Sequence, residues 1–183
     1  FWALDLKYAR TVEAEGPPVH PESTPLWRIC RWEFPARGDL PPVKLTWHDG
    51  GKRPALQKEH NMPNYFEGTL FVGSDGMLIA DYGHHELYPK EKFAEFQRPP
   101  QTIRQSPGHA NEWLRACKTG SPTGTHFEYS GPLTEAVLLG TVAYRASRKF
   151  RQKLEWDAEQ LKVTNCPEAN QFIRRAYRKG WTV

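Results

Sequence analysis

Trp27-Arg28-Ile29-Cys30-Arg31-Trp32-Glu33-Phe34, followed after a Pro- and Gly-rich turn by Val43-Lys44-Leu45-Thr46-Trp47-His48-Asp49, decides how the chain folds. Both runs alternate with a period of two. In the first, Trp27, Ile29, Arg31 and Glu33 point one way and Arg28, Cys30, Trp32 and Phe34 the other. In the second, Val43, Leu45 and Trp47 share a face and Lys44, Thr46 and His48 share its opposite. Side chains of a strand alternate between the two sides of a sheet, so these are strands with one face buried and one half-polar. Pro35 ends the first, and Gly38-Asp39-Leu40-Pro41-Pro42 turns the chain into the second.

Working outward, Lys7–Glu15 reads as a preceding strand that closes at Gly16-Pro17-Pro18, and 17–25 reads as a loop. Asp49-Gly50-Gly51 is a turn, and 51–65 is polar and irregular. Ser74-Asp75-Gly76 separates the apolar runs Phe66–Gly73 and Met77–Tyr82, and Asp-Gly between such runs predicts a hairpin. The C-terminal half changes period. A helix is expected over about His109–Lys118, with Trp113 and Cys117 on one face and Gly120 closing it. A second is expected from Ser130-Gly131-Pro132, with Val137, Leu138, Leu139, Val142 and Tyr144 as its apolar stripe. Leu154-Glu155-Trp156 predicts a short strand, and Pro167–Lys179 a final helix. Strands first and helices after give an α+β fold, an open, mostly antiparallel sheet with helices packed on one face. Residues 1–183 are expected to form a single domain, because 183 residues support one full core and not two.

Composition narrows the function classes. With 38% hydrophobic residues, a mean hydropathy of −0.72 and no apolar run near 18 residues, no membrane span is expected. Seven Trp argue against a disordered chain. The formal charge of +4 collects toward the C-terminus, from Arg145, Arg148, Lys149, Arg151 and Lys153 to Arg174, Arg175, Arg178 and Lys179. Glu155, Asp157, Glu159 and Glu168 interleave with it and no nucleic-acid motif accompanies it, so no nucleic-acid partner is expected. Cys30, Cys117 and Cys166 form no CxxC and read as buried free thiols. The first residue is Phe1 rather than Met, and Phe1–Leu6 reads as the tail of an element begun earlier.

There is no GxGxxG, P-loop, GxSxG or HExxH. Chemistry must come from scattered polar side chains. Lys44, Trp47, His48 and Asp49, with Tyr82 after the hairpin, form the candidate small-molecule surface: polar groups in a row beside an aromatic platform. Asp81, His84, His85 and Glu86 lie close in sequence and offer a divalent-metal alternative, although adjacent strand residues diverge. Asp49, Glu67 and Asp81 are the carboxylates that acid–base chemistry would draw on. A stand-alone, metal-dependent hydrolase of phosphoesters or glycosides, built from His48, Asp49, Asp81, His84 and His85, is therefore a rival reading, and a purely structural interaction module a third.

The runs Gly68–Gly73, Gly131–Gly140, Leu154–Asp157, Val163-Thr164-Asn165 and Tyr177-Arg178-Lys179-Gly180-Trp181 look like the C-terminal half of Gfo/Idh/MocA-type oxidoreductases in their bacterial form. Phe1–Leu6 is similar to the segment just after that family's active-site helix. The resemblance implies a substrate-binding and oligomerisation domain for a sugar-like molecule, with the open sheet face lining a sugar site or meeting another subunit. It also implies that NAD(P) is held by a Rossmann domain outside these residues. The family's catalytic Lys and His match no position here, so the chain alone is not expected to be a dehydrogenase. Cytoplasm and periplasm both remain open as its compartment.

Overall fold

A computed structural model describes residues 1–64, 67–150 and 152–181. The fold is α+β: among the described residues, eight strands lie in two open antiparallel sheets, with a few helices. The strands are β1 Thr11–Glu15, β2 Ile29–Phe34, β3 Val43–His48, β4 Thr69–Val72, β5 Met77–Ala80, β6 His85–Tyr88, β7 Leu154–Asp157 and β8 Lys162–Val163. The helices are α1 Ala55–Glu59, α2 His109–Thr119 and α3 Phe127–Ala146. Two compact units result: residues 1–52 with 115–183, and residues 53–114.

The first unit holds a five-stranded sheet in the order β3-β2-β1-β7-β8. Its register pairs Cys30 with Trp47, Trp32 with Leu45 and Phe34 with Val43, while Val12 pairs with both Trp32 and Leu154. Cross-strand partners share a face. One face is therefore Val12, Cys30, Trp32, Phe34, Leu154 and Trp156, all buried against α3. Small residues on α3 let the helix come close. A Cβ added at Gly140 would lie 2.7 Å from Trp32 Cζ2 and 3.2 Å from Cys30 Sγ. Trp156 Nε1 donates to Glu135 Oε1 at 2.7 Å, and Tyr144 Oη donates to the Pro17 carbonyl, so both rings satisfy their polar ends. The β2–β3 end is fixed by Gly50 (φ +62°), where a Cβ would stand 2.0 Å from the Leu26 carbonyl oxygen.

The second unit is smaller. The hairpin β4–β5 forms around Gly73–Gly76, its turn closed by Gly73 N–H donating to the Gly76 carbonyl at 2.9 Å, as the Asp-Gly signal predicts. Phe66, the first residue of that expected apolar run, lies outside the described residues. A third strand, β6, adds to β5, and Met62, Ile79 and Tyr88 make a separate small core.

Several elements differ from the sequence reading. The strand expected over Lys7–Glu15 begins at Thr11. Residues 51–65, read as irregular, include α1. Helix α3 starts at Phe127, a turn before the expected Ser130-Gly131-Pro132, and carries Pro132 inside it. The missing Pro132 N–H deprives only the Glu128 carbonyl, close to the helix start, while Ser130 and Thr134 hydroxyls donate to the carbonyls of His126 and Ser130. The buried stripe of α3 also shifts. Leu139 is 3% exposed, but Leu138 is 58% exposed and Val137 faces outward too. Val142 and Tyr144 of the expected stripe are buried with Leu139, and Ala136, Gly140, Ala143 and Ala146 complete the seam, since a helix lying on two Trp rings needs small residues there. On α2, Trp113 and Cys117 are exposed, so Cys117 is not the buried thiol expected.

The expected final helix is only a 3-10 turn, Pro167–Phe172. Asn170 spends its amide on β8, with Oδ1 accepting from Val163 N–H and Nδ2 donating to the Val163 carbonyl. An α-helix beyond it would stack Arg174 on Arg178 and Arg175 on Lys179 at i,i+4, where like charges repel. Finally, the register puts Trp32, with Cys30 and Phe34, on the covered face of the five-stranded sheet, and Lys44 and His48 on the other.

Candidate functional site

The site is built on the uncovered face of the five-stranded sheet. Alternation sends Thr11, Glu13 and Glu15 of β1 to this side, with Ile29, Arg31 and Glu33 of β2 and Lys44, Thr46 and His48 of β3. From β7 the same rule brings Glu155, paired with Thr11. Two cross-strand rows follow, each setting a carboxylate beside a cation. Thr11 and Lys44 flank Glu33 in register, and Glu13 and Thr46 flank Arg31.

Two of these carboxylates, Glu33 and Glu15, are held in ion pairs. Lys153 Nζ donates to Glu33 Oε1 at 2.7 Å, and Thr11 Oγ1 donates to Glu33 Oε2 at 2.9 Å. Hydrogen bonds from Lys153 and then Thr11, with the Lys153 and Lys44 charges, hold the Glu33 carboxyl below the usual Glu range. The bond from Lys153 correspondingly holds its ammonium above the usual Lys range. Arg31 Nη2 is paired with Glu15 Oε1.

His48 closes the row opposite Ile29. It is half-buried, and its Nδ1 is buried with no hydrogen-bond partner among the described residues. Burial first, and the Arg31 charge second, lower its pKa, with Glu15 opposing. A neutral imidazole is the result near neutral pH, with one ring nitrogen left to accept or donate. Such a face can bind a hydroxyl-rich molecule, because it offers oriented cations, carboxylates, a threonine hydroxyl and an imidazole within one plane.

Of the residues singled out from sequence, Lys44 and His48 are brought together on this face. Trp47 pairs with Cys30 and therefore projects from the helix-covered side, where at 55% exposure it stands at the open edge of β3. Asp49 belongs to the turn after β3, with Oδ1 accepting from Gly50 N–H at 2.7 Å. Tyr82 is 96% exposed on the second unit.

The metal alternative also lies on the second unit, between β5 and β6. Asp81 Oδ1 accepts from the backbone N–H of Gly83 and His84 and faces His84 Nδ1 at 3.1 Å, so the two form a dyad in a tight turn. Those bonds, led by the one from Gly83, hold the Asp81 carboxyl below its usual range. His85 begins β6 opposite Ala80, and Glu86 binds Lys90 Nζ and Tyr88 Oη at 2.8 Å each. Among the described residues no group of three His, Cys, Asp or Glu side chains comes together to hold a metal ion.

Residues the sequence reading did not nominate are Arg31, Glu33, Glu15 and Lys153. Period-two alternation already placed Arg31 and Glu33 on one side of β2, but the pairing of β1 with β7, which joins residues over a hundred positions apart, has no local signature. In comparisons with known proteins, no family model matches the chain. No curated protein matches it either.

Proposed function

We propose that this chain is the substrate-binding and subunit-contact domain of a sugar-type, NAD(P)-dependent oxidoreductase of the Gfo/Idh/MocA kind. The observation that carries this reading is the asymmetry of the five-stranded sheet: one face sealed by α3, the other an uncovered polar surface that includes Lys44, Thr46 and His48. A sheet of this kind supplies a wall for a polyol and a surface for a second subunit, and the sequence resemblance supports the same assignment.

The cofactor belongs to residues outside these 183. Among the described residues the Gly pair that follows a strand, Gly50-Gly51, does not fit a pyrophosphate. Gly50 is packed on the Leu26–Trp27 backbone, and the helix that follows has five residues. Every pairing of the described strands is antiparallel, whereas the dinucleotide fold needs parallel strands with a glycine turn into a helix. Hydride chemistry is thus supplied by NAD(P) when held elsewhere. Here Lys44 and His48 hold and orient hydroxyl groups at the sheet surface, Lys44 as a donor only and the neutral His48 imidazole as a donor or an acceptor.

Saturation-transfer NMR with hexoses, inositols and their acids tests the reading. Transfer is expected, and Lys44→Ala or His48→Ala is expected to weaken binding about tenfold, the worth of one good hydrogen bond. No transfer from any polyol, or transfer indifferent to both substitutions, overturns it. Calorimetry with NAD and NADP is expected to give no binding at sub-millimolar concentration, and micromolar affinity would refute the division of labour. Light scattering is expected to give a dimer or larger oligomer, and a monomer mass at high micromolar protein would refute subunit contact.

A further inference from the structure

A second site stands out on the helix side of the same unit, independent of the reading above. Where α3 ends, Arg145, Arg148, Lys149, Phe150, Gln171 and Phe172 line a cleft of about 170 Å³. Three cations and two aromatic rings thus share one small concavity, and no carboxylate is among its lining residues.

These cations differ from those of the open sheet face. There, Arg31 and Lys153 are matched with Glu15 and Glu33. In the cleft, none of Arg145, Arg148 and Lys149 takes part in an ion pair among the described residues. Attraction to the helix C-terminus explains a single cation in the last turn, and Arg145 fills that place. Arg148 and Lys149 stand beyond Ala146, are exposed, and add charge of the same sign beside it.

Arg145 is also held in position. Its Nη2 donates to the Pro21 carbonyl at 3.3 Å, and its guanidinium lies 5.8 Å from the Phe172 ring centroid. The Phe150 and Phe172 rings make part of the wall apolar, which strengthens any charge interaction at the mouth relative to bulk water. Like charges gathered without a counter-charge repel one another, and a bound anion relieves that repulsion. The volume sets the size of the guest. Sites for drug-sized ligands run to about 300–1,000 Å³, so this cleft takes a small charged group and not a dinucleotide. Guanidinium forks suit tetrahedral oxyanions, which accept two parallel hydrogen bonds from one Arg.

We infer that the cleft at the C-terminal end of α3 is a binding site for a small inorganic oxyanion, phosphate or sulfate, held by Arg145, Arg148 and Lys149.

The test is a titration of the isotope-labelled chain with sodium phosphate and, separately, sodium sulfate, against sodium chloride at matched ionic strength. Backbone amide shifts of residues 148–150 and 171–172 are the readout. Saturable shifts there with either oxyanion and not with chloride are expected, and which salt saturates identifies the preferred ion. The double variant Arg148→Gln, Lys149→Gln should weaken binding about tenfold or more, about 1.4 kcal/mol. Lys118→Gln, on exposed α2, should leave it unchanged. Both cleft positions are on the surface, so the double variant is expected to fold, and an unaltered thermal midpoint checks this. The charge-keeping variant Arg148→Lys, Lys149→Arg is expected to bind more tightly than the double Gln variant, because both positive charges remain, which separates lost charge from lost structure. Shifts that follow chloride equally, or a double variant that binds as the parent does, overturn the inference.

Discussion

The two faces of the five-stranded sheet come from the same strands by the same two-residue alternation, yet they are held by different physics. On the covered face, Val12, Cys30, Trp32, Phe34 and Leu154 meet Leu139, Val142 and Ala143 of α3 in close packing. On the open face, Glu33, Lys153, Arg31 and Glu15 form exposed ion pairs. Burial of apolar surface contributes about 25 cal/mol per Å², whereas exposed pairs contribute about 0–1 kcal/mol each. The covered face therefore fixes the fold, while the open face is comparatively free to change its residues and is the better place for binding.

The sharpest way to break this comparison uses two neighbouring leucines. Leu139→Ala should cost about 2–5 kcal/mol, because it leaves a cavity between α3 and the sheet. Leu138→Ala, one position away on the outer side of α3, should change stability by no more than about 0.5 kcal/mol. Urea midpoints for both report the difference. Equal effects would mean that α3 is rotated from the orientation described.

Next in size is Gly140→Ala. The new methyl would meet Trp32 Cζ2 at 2.7 Å and Cys30 Sγ at 3.2 Å, neither of which can retreat from a buried sheet face. Overpacking of this kind costs about 1–3 kcal/mol. It works against helix propensity, which favours Ala over Gly by about 1 kcal/mol. A thermal midpoint at or above the parent's would show that the helix stands farther from the sheet.

The same contrast explains what the sequence reveals. Strands β2 and β3 are legible because alternation and the turn residues between them agree, and the Asp-Gly hairpin is legible for the same reason. The side of α3 that is buried is not. Apolar side chains occur all around this helix, so Val137, Leu138 and Leu139 look alike until the Trp32 ring selects Gly140 and Leu139. Strand β6 escapes because Asp81-Tyr82-Gly83-His84 reads as a chain leaving the hairpin, whereas Asp81 folds it back through its bonds to Gly83 and His84. In the candidate site, the shared face of Lys44 and His48 follows from local alternation. Their partners on β1 and β7 do not, because register across distant strands is a property of the assembled sheet.

The finest test sets one carboxylate from each face against the other. Glu33, on the open side, is held below the usual Glu range chiefly by its bond from Lys153. Glu135, on α3 at the covered side, is pushed above it by burial, with the Trp156 bond opposing. The consequences for stability have opposite signs. A lowered folded pKa gives Glu33 a contribution that is present above the ordinary Glu value and disappears as pH falls through the folded one. A raised folded pKa gives Glu135 a contribution that is complete below the ordinary value and disappears as pH rises through the folded one. Glu33→Gln should therefore lose most against the parent toward neutral pH and converge with it in acid. Glu135→Gln keeps an oxygen for Trp156 Nε1 and removes the half-buried charge, so it should gain on the parent as pH rises through the carboxylate range. Denaturant midpoints of the two variants and the parent, taken from about pH 3 to pH 7, measure both slopes. Both effects should be smaller than that of Gly140→Ala, since Glu33 is screened by solvent and Glu135 keeps its hydrogen bond. Slopes of the same sign would mean that the two carboxylates do not lie in the contrasting environments of a sealed and an open face.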